Sequence, residues 1–191
     1  KTIAYYDDTK KHDVKPIVKA QFPSAEIIYF DHHECHAMSS ILMTDWEDCA
    51  VMVVDTVGGK YSTSLGVYNK GKFTWLKRFT YPNSLGLFYS SATRLLGLKP
   101  LHDEAQVMAA ASFGKPKWAA FIEDKFIEIN QDGYQLKTDL RRGVGYGCLD
   151  WDIAASVQNV LEKTLLKLAK WLQKETGMLN LAYSGGVALN C

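Results

Sequence analysis

The chain has 191 residues, of which 47% are hydrophobic and 23% are charged, so it can bury a real core and is not typical of disordered proteins. Its formal net charge is +1 and it contains no basic run, which argues against an extended nucleic-acid-binding surface. No stretch approaches the 18 or so apolar residues that a membrane span requires.

Cysteine usage and the ends of the chain suggest a cytoplasmic piece of a longer protein. The four cysteines form no CxxC pair and are far apart, as expected for reduced thiols; they are Cys35, Cys49, Cys148 and Cys191. No signal peptide opens the sequence, which starts without Met and stops directly after a Gly-Gly turn. We therefore expect a cytoplasmic location and further chain beyond this segment.

Hydrophobic periodicity predicts an α/β fold. In chain order the predicted elements are a helix over 15–22, a buried strand over 26–30, a helix from 34 to about 44, a strand over 49–55, a hairpin over 61–68 and 72–79, helices over 84–96 and 104–113, a hairpin over 126–129 and 134–137, a helix over 151–176 and a strand over 179–183. The apolar stripe of the longest helix is typical of a core-facing surface. Ser84, Asp103 and Asp150 are the predicted N-caps.

Three of the five histidines stand between residues 32 and 36, directly after a predicted strand. His32 and His36 are four residues apart, so on a helix they share one face and can bind a single metal ion. An exposed, solvated face is the alternative interpretation, and it is the one expected for His33. The zinc-protease pattern does not fit, because Glu must directly follow its first His.

A carboxylate ends the otherwise apolar strand that precedes the first hairpin. Asp55 points out of the carboxyl edge of the predicted sheet, where α/β folds bind ligands. A turn-forming Asp is the alternative interpretation. Together with His32 and His36, Asp55 would complete a set of two histidines and one carboxylate that leaves metal positions open to substrate or water.

A glycine pair follows the last predicted strand. Gly185 and Gly186, which come directly after Ser184, would let backbone N–H groups approach a phosphate at the start of the helix expected next. A plain tight turn explains the pair equally well, because Gly-Gly alone is a weak signal.

Five blocks of the sequence resemble the carbamoyltransferase family of nodulation protein U and the antibiotic-modifying O-carbamoyltransferases. They cover residues 31–37, 54–58, 81–89, 104–108 and 184–191, and they occur in the order typical of that family. The resemblance implies an α/β domain of the ribonuclease H-like, actin-like ATPase type, present in part, with a mixed sheet flanked by helices. It also implies a relationship to the protein that forms threonylcarbamoyladenosine in tRNA.

In such enzymes a C-terminal domain makes carbamoyl-adenylate from carbamoyl phosphate and ATP. By this resemblance, residues 1–191 are a fragment of the N-terminal domain, which binds metal and adenylate and transfers the carbamoyl group to a hydroxyl of a small-molecule acceptor. The adenylate-forming domain, the family's first hairpin and a later Asp ligand would lie outside these residues. The isolated fragment is therefore expected to be inactive.

The resemblance also assigns site residues. His32, His36 and Asp55 match the family's metal ligands, and the family suggests iron. Ser184, Gly185, Gly186 and Asn190 fall in its nucleotide-contacting block. Two positions depart from the pattern, because Gly59 stands where relatives usually carry Glu and Gln106 where they carry Lys. These departures keep two alternatives open: a non-catalytic nucleotide-binding domain of the same fold, and a transferase of the tRNA-modifying type.

Overall fold

The computed structural model describes residues 2–5, 15–138 and 150–190. They form a mixed α/β fold with a mixed sheet flanked by helices, as predicted. The strands are β1 (Thr2–Tyr5), β2 (Glu26–Tyr29), β3 (Asp48–Gly58), β4 (Tyr61–Asn69), β5 (Lys72–Thr80), β6 (Ile127–Ile129), β7 (Tyr134–Leu136) and β8 (Leu181–Ser184). The helices are α1 (Lys15–Gln21), α2 (His32–Ile41), α3 (Leu85–Leu95), α4 (Glu104–Ala111), α5 (Ala119–Lys125) and α6 (Trp151–Thr176), and a short 3-10 helix spans Gly186–Leu189.

The central sheet has the strand order β5-β4-β3-β8 within the described residues. Strands β3, β4 and β5 pair antiparallel, whereas β8 pairs parallel to β3. The predicted turn between β4 and β5 is confirmed: Lys70 and Gly71 both have positive φ, 44° and 87°, as a two-residue hairpin turn of the primed type requires.

Strand β3 is buried on both faces, because its successive side chains point to opposite sides of the sheet. Met52 and Val54 belong to a large apolar core, to which α3, α4, α5 and α6 contribute. Val51 and Val53 pack into a smaller core with Ala37 of α2. This alternation explains the continuous apolar run that the sequence shows there.

The predicted helix limits hold best where a cap defines them. α6 spans 151–176 as predicted, and Asp150 accepts hydrogen bonds from the backbone N–H groups of Asp152 and Ile153. Ser84 caps α3 by accepting from the Leu87 N–H. Asp103 precedes α4 but makes no side-chain capping bond; its carboxylate accepts instead from the Lys99 N–H and the Gln106 side chain.

Three other predictions need correction. Strand β2 is not buried: Ile28 and Tyr29 are 38% and 55% exposed, because within the described residues β2 pairs with β1 alone, in a separate parallel sheet. The helix containing the histidines begins at His32 and ends at Ile41, earlier than predicted at both ends. The Gly-Gly turn leads into the short 3-10 helix, not directly into an α-helix.

Cys35 is exposed and Cys49 is buried, and neither forms a disulfide, whereas Cys148 and Cys191 lie outside the described residues. None of the helices in the described ranges combines the length and apolarity that crossing a membrane requires. The ribonuclease H-like, actin-like ATPase assignment stays a prediction.

Candidate metal and nucleotide site

The structure brings the three predicted metal ligands together. Nε2 of His32 lies 2.9 Å from Oδ2 of Asp55, and Nε2 of His36 lies 3.2 Å from the same oxygen. One potential ligand atom from each residue lies within 4.8 Å of the others. Side chains 23 residues apart in sequence therefore converge on one point.

The start of α2 determines where the two imidazoles lie. Oδ1 of Asp31 accepts hydrogen bonds from the N–H groups of His33 and Glu34, at 2.9 and 3.2 Å, so Asp31 is the N-cap and His32 the first helical residue. One turn later His36 lies on the same face, and the two rings have centroids 4.5 Å apart. The cap thus directs both side chains at the end of β3.

Asp55 is held as a carboxylate. Burial alone would raise its pKa, but hydrogen bonds with His32 and His36 and from the Thr56 N–H outweigh burial and hold the pKa well below its usual range. The Thr56 N–H donates to Oδ1 at 2.7 Å, whereas both histidines face Oδ2. The negatively charged carboxylate of Asp55 therefore holds its Oδ2 between the two imidazoles.

This donor set fits a transition metal. Imidazole nitrogen with carboxylate oxygen suits iron, manganese or zinc, and a set of three protein ligands leaves positions for other ligands. The side chains of His32, His36 and Asp55 are 15%, 33% and 14% exposed, so the point where they meet is only partly shielded from solvent.

His33 contradicts the expectation of a solvated side chain. It is fully buried, and its Nδ1 lies 2.7 Å from Oγ of Ser64 on β4. Burial, followed by the positive charge of Arg78, lowers the pKa of His33 to about 4, so the ring is neutral at physiological pH. The prediction was wrong because helical spacing places His32 and His36 on one face but does not reveal which neighbours the intervening face packs against.

Arg78 on β5 connects the polar groups beneath α2. Its Nη2 donates to both oxygens of Asp31, at 3.0 and 3.1 Å, and its Nε donates to Oγ of Ser64 at 2.9 Å. The guanidinium also lies 3.6 Å from the centre of the Tyr61 ring. We call Asp31, His33, Ser64 and Arg78 the Arg78 network. Arg78 was not predicted as a site residue, because nothing in the sequence pairs it with Asp31, 47 positions away.

Gly58 lets the end of β3 approach α2 closely. A Cβ at this position would lie 2.5 Å from Cδ2 of His32 and 2.7 Å from the ring of His33. Any side chain at position 58 would therefore displace the rings of His32 and His33, and with the first of them a predicted metal ligand.

The glycine loop lies against the same strand end. Because β8 runs parallel to β3, with Val53 opposite Ser184, the loop that follows β8 reaches Asp55. Gly185 has φ of 99°, and a Cβ there would lie 2.3 Å from the Val54 carbonyl oxygen. A Cβ on Gly186 would lie 2.9 Å from Oδ1 of Asp55. Only glycine fits this approach at both positions without displacement.

Ser184 and Asn190, the other residues of the predicted nucleotide block, have different surroundings. The Ser184 hydroxyl is buried and has no hydrogen-bond partner among the described residues. The side-chain amide of Asn190 exchanges two hydrogen bonds with that of Gln158 on α6, at 2.7 and 3.0 Å, and Gln158 also accepts from the Tyr89 hydroxyl. Their role in nucleotide binding stays a prediction.

The two residues that depart from the family pattern lie near the ends of their elements. Gly59 occupies the turn between β3 and β4 with φ of 65°, a conformation that other residues adopt only with strain. Gln106 is exposed on α4 and donates to Asp103 at 3.0 Å.

Comparison with known proteins now decides the family. A family model described as "Carbamoyltransferase N-terminus" matches residues 2–145 and 139–191. The chain belongs to this carbamoyltransferase family.

Named relatives are nodulation proteins. The chain is similar to the nodulation protein NolO of Bradyrhizobium diazoefficiens, with 32% identity over 84% of this chain and 32% of the relative. It is also similar to the nodulation protein NolNO of Sinorhizobium fredii, with 28% identity over 87% of this chain and 26% of the relative. An uncharacterized protein of a Synechocystis species, sll1178, is 30% identical over all of this chain and 33% of its own length. The chain thus spans about a third of the length of the relatives it matches.

Proposed function

We propose that this carbamoyltransferase domain transfers a carbamoyl group from carbamoyl-adenylate to a hydroxyl of a small-molecule acceptor, with a divalent metal at His32, His36 and Asp55. The observation that carries the proposal is the convergence of two imidazoles on one carboxylate oxygen beside the glycine loop. Family membership indicates the type of reaction, and this geometry supports His32, His36 and Asp55 as the site where the reaction occurs.

The metal that the family suggests is Fe2+, and the donor atoms suit it. When bound, it would supply Lewis-acid stabilisation of charge on the reacting oxygens. Other residues of this chain orient the three ligand side chains. Asp31 aligns the two imidazoles by capping α2, and the Thr56 N–H donates to Oδ1 of Asp55 so that Oδ2 faces the imidazoles.

The glycine loop supports the placement of the adenylate phosphate. Gly185 and Gly186 bring the backbone of this loop directly beside Val54 and Asp55, so a phosphate bound by the loop would lie near the metal ligands. In the transfer step, the acceptor oxygen forms a bond with the carbamoyl carbon. The bond from that carbon to the adenylate oxygen breaks, AMP leaves, and the acceptor gives up its proton.

The remaining parts of the proposal concern the longer protein. Carbamoyl-adenylate would be formed from carbamoyl phosphate and ATP by an adenylate-forming domain elsewhere in the full-length protein, in the cytoplasm. The fold proposed for this chain is part of an actin-like ATPase domain, which the antiparallel β3, β4 and β5 followed by the parallel β8 support. A small-molecule acceptor is favoured over tRNA because the net charge is only +1.

The test is to supply full-length protein with carbamoyl phosphate, ATP and a panel of hydroxylated small molecules, and to measure by mass spectrometry which of them gain one carbamoyl group. Unmodified tRNA serves as the competing acceptor. We expect a small molecule to be carbamoylated, with one AMP released per transfer.

The test variants are His32→Ala and His36→Ala, which should abolish transfer and bound iron. The control is Glu128→Ala on the exposed face of β6, which should change neither. Transfer that persists at full rate in metal-free protein, or modification of tRNA alone, would contradict the proposal.

A further inference from the structure

A cavity of about 500 Å³ lies between α3 and the end of β7, and we call it the α3 cavity. Its walls are the turn after β5, one side of α3, the loop after α3 and the end of β7. Within the described residues, its lining includes none of the predicted metal or nucleotide residues. Its volume is in the range of small-molecule sites, so it is large enough to be a site of its own.

Hydrogen bonds fix the walls of the α3 cavity. The side chain of Asn83, just before α3, donates to the Tyr134 carbonyl at 3.0 Å and accepts from the Leu136 N–H at 2.9 Å. This amide therefore ties β7 to the start of α3. The Leu101 N–H donates to Oε1 of Glu104 at 2.6 Å, which ties the loop after α3 to α4. The cavity is thus preformed, as small-molecule sites usually are.

Two cations line the α3 cavity. Arg94 lies in the last turn of α3 and forms no hydrogen bond or ion pair with any described residue. Lys137 donates to the backbone carbonyl of Asp124 at 2.9 Å, a bond that fixes the ammonium without neutralising it. No Asp or Glu stands among the described lining residues, and Glu104 lines the neighbouring cleft instead. The charged groups of the described lining are therefore both positive.

Apolar side chains accompany these cations in the lining. They are Leu87, Phe88, Leu101 and Leu136. Leu87 and Arg94 are seven residues apart, so they lie on one face of α3. An apolar body can pack against the leucines while a negative group bonds the guanidinium, whose fork of donors matches phosphate and carboxylate oxygens. A free inorganic ion would leave the apolar part of the wall without a contact.

We propose that the α3 cavity is a second binding site, for a small molecule that carries a phosphate or carboxylate on an apolar ring body, and that Arg94 binds the negative group. This site is distinct from the one proposed for the adenylate, because the glycine loop does not line it. It also does not need the metal, because His32, His36 and Asp55 do not line it.

The test titrates full-length protein calorimetrically with 1-naphthyl phosphate, which combines two apolar rings with a negative group. 1-Naphthol lacks the charge and inorganic phosphate lacks the rings, so each should bind at least about tenfold more weakly. Chelator-treated and metal-loaded protein should bind 1-naphthyl phosphate equally. Saturating AMP should not displace it, because the ribose and base of AMP would place polar groups against the apolar wall.

Variants locate the binding. Arg94→Gln removes the charge, so affinity for 1-naphthyl phosphate should fall about tenfold while affinity for 1-naphthol changes little. The matched control is Lys170→Gln, an exposed cation on α6 outside the cavity, which should change neither affinity. Thr138→Trp adds an indole from an exposed position on the cavity wall. It should abolish binding without changing the melting temperature or the metal content.

The outcomes are independent of the proposed function. Binding that is lost in Arg94→Gln and Thr138→Trp supports the α3 cavity even if the full-length protein transfers no carbamoyl group. The inference would be overturned by equally tight binding of 1-naphthol or inorganic phosphate, by unchanged binding in either variant, or by displacement with AMP. Absence of any binding of 1-naphthyl phosphate to the unchanged protein would also overturn it.

Discussion

The helices on the two faces of the central sheet are held by different kinds of contact. On one face α6 buries aliphatic side chains such as Leu161, Leu168 and Leu172 against the large apolar core. On the other face α2 contributes Ala37, Ile41 and the half-buried Met38 to a small apolar core, and the Arg78 network connects its first turn to β4 and β5.

This difference separates stability from positioning. Apolar contacts are non-directional and stabilise in proportion to buried area, so the α6 side can supply most of the folding free energy without aligning any particular atom. Hydrogen bonds depend on angle as well as distance, so the α2 side can fix the orientation of His32 and His36. The four predictions below test this division, from the largest expected effect to the smallest.

The largest effect is expected from Asp55→Asn. The amide removes the charge that both imidazoles face, so metal affinity should fall by more than the roughly 10–100-fold typical of losing an outer partner of a metal ligand. Metal content and dissociation constant, measured by elemental analysis and competition with a chelator, check this. Asp48→Asn, at the exposed start of the same strand, is the control. Normal metal binding by Asp55→Asn would remove Asp55 from the site.

The next effect concerns the apolar side. Leu168→Ala removes a side chain that is 1% exposed and should lower the free energy of unfolding by about 2–5 kcal/mol. Leu166→Ala, at a position that is 60% exposed on the same helix, should change it by less than about 0.5 kcal/mol. Denaturant titration of both variants measures the difference. Loss of metal affinity in folded Leu168→Ala would contradict the proposal that the α6 side stabilises the fold without orienting the metal ligands.

A smaller effect is expected from Arg78→Lys. Lysine keeps the charge but has one nitrogen in place of the guanidinium fork, whose Nε and Nη2 bond Ser64 and Asp31 separately, so α2 should be oriented less firmly and metal affinity should fall about tenfold. The matched control, Arg94→Lys on the exposed side of α3, should have no effect. If Arg78→Lys binds metal as tightly as the unchanged protein, the network contributes to packing alone.

The smallest effects are expected from removing the side chains of the two N-cap residues, Asp150 and Asp31. Asp150→Ala should lower the free energy of unfolding by about 1 kcal/mol and leave metal affinity unchanged, because Asp150 caps α6, which packs on the opposite face of the sheet from the histidines. Asp31→Ala should lower both quantities, since Asp31 caps α2 and also accepts from Arg78. Measuring both variants by denaturant titration and chelator competition gives the contrast. Equal metal affinities in the two variants would contradict it.

The elements that the sequence predicted well carry local signals. The limits of α6 follow from the Asp150 cap and a long apolar stripe, and the β4–β5 hairpin follows from Asn and Gly in a tight turn. β2 was wrongly predicted to be buried, because an apolar tetrapeptide does not reveal whether a second sheet layer covers it. Spacing also predicted that His32 and His36 face the same way, which is a property of any helix.

The sequence by itself determined the kinds of donor available, the family and the order of most elements. Tertiary structure alone decided that Asp55 meets both imidazoles, that His33 is buried against Ser64 and that Arg78 bonds Asp31. The physical reason is distance along the chain. Helical and strand periodicity act over a few residues, whereas these contacts join residues 19 to 47 positions apart and form only when the sheet and its two faces assemble.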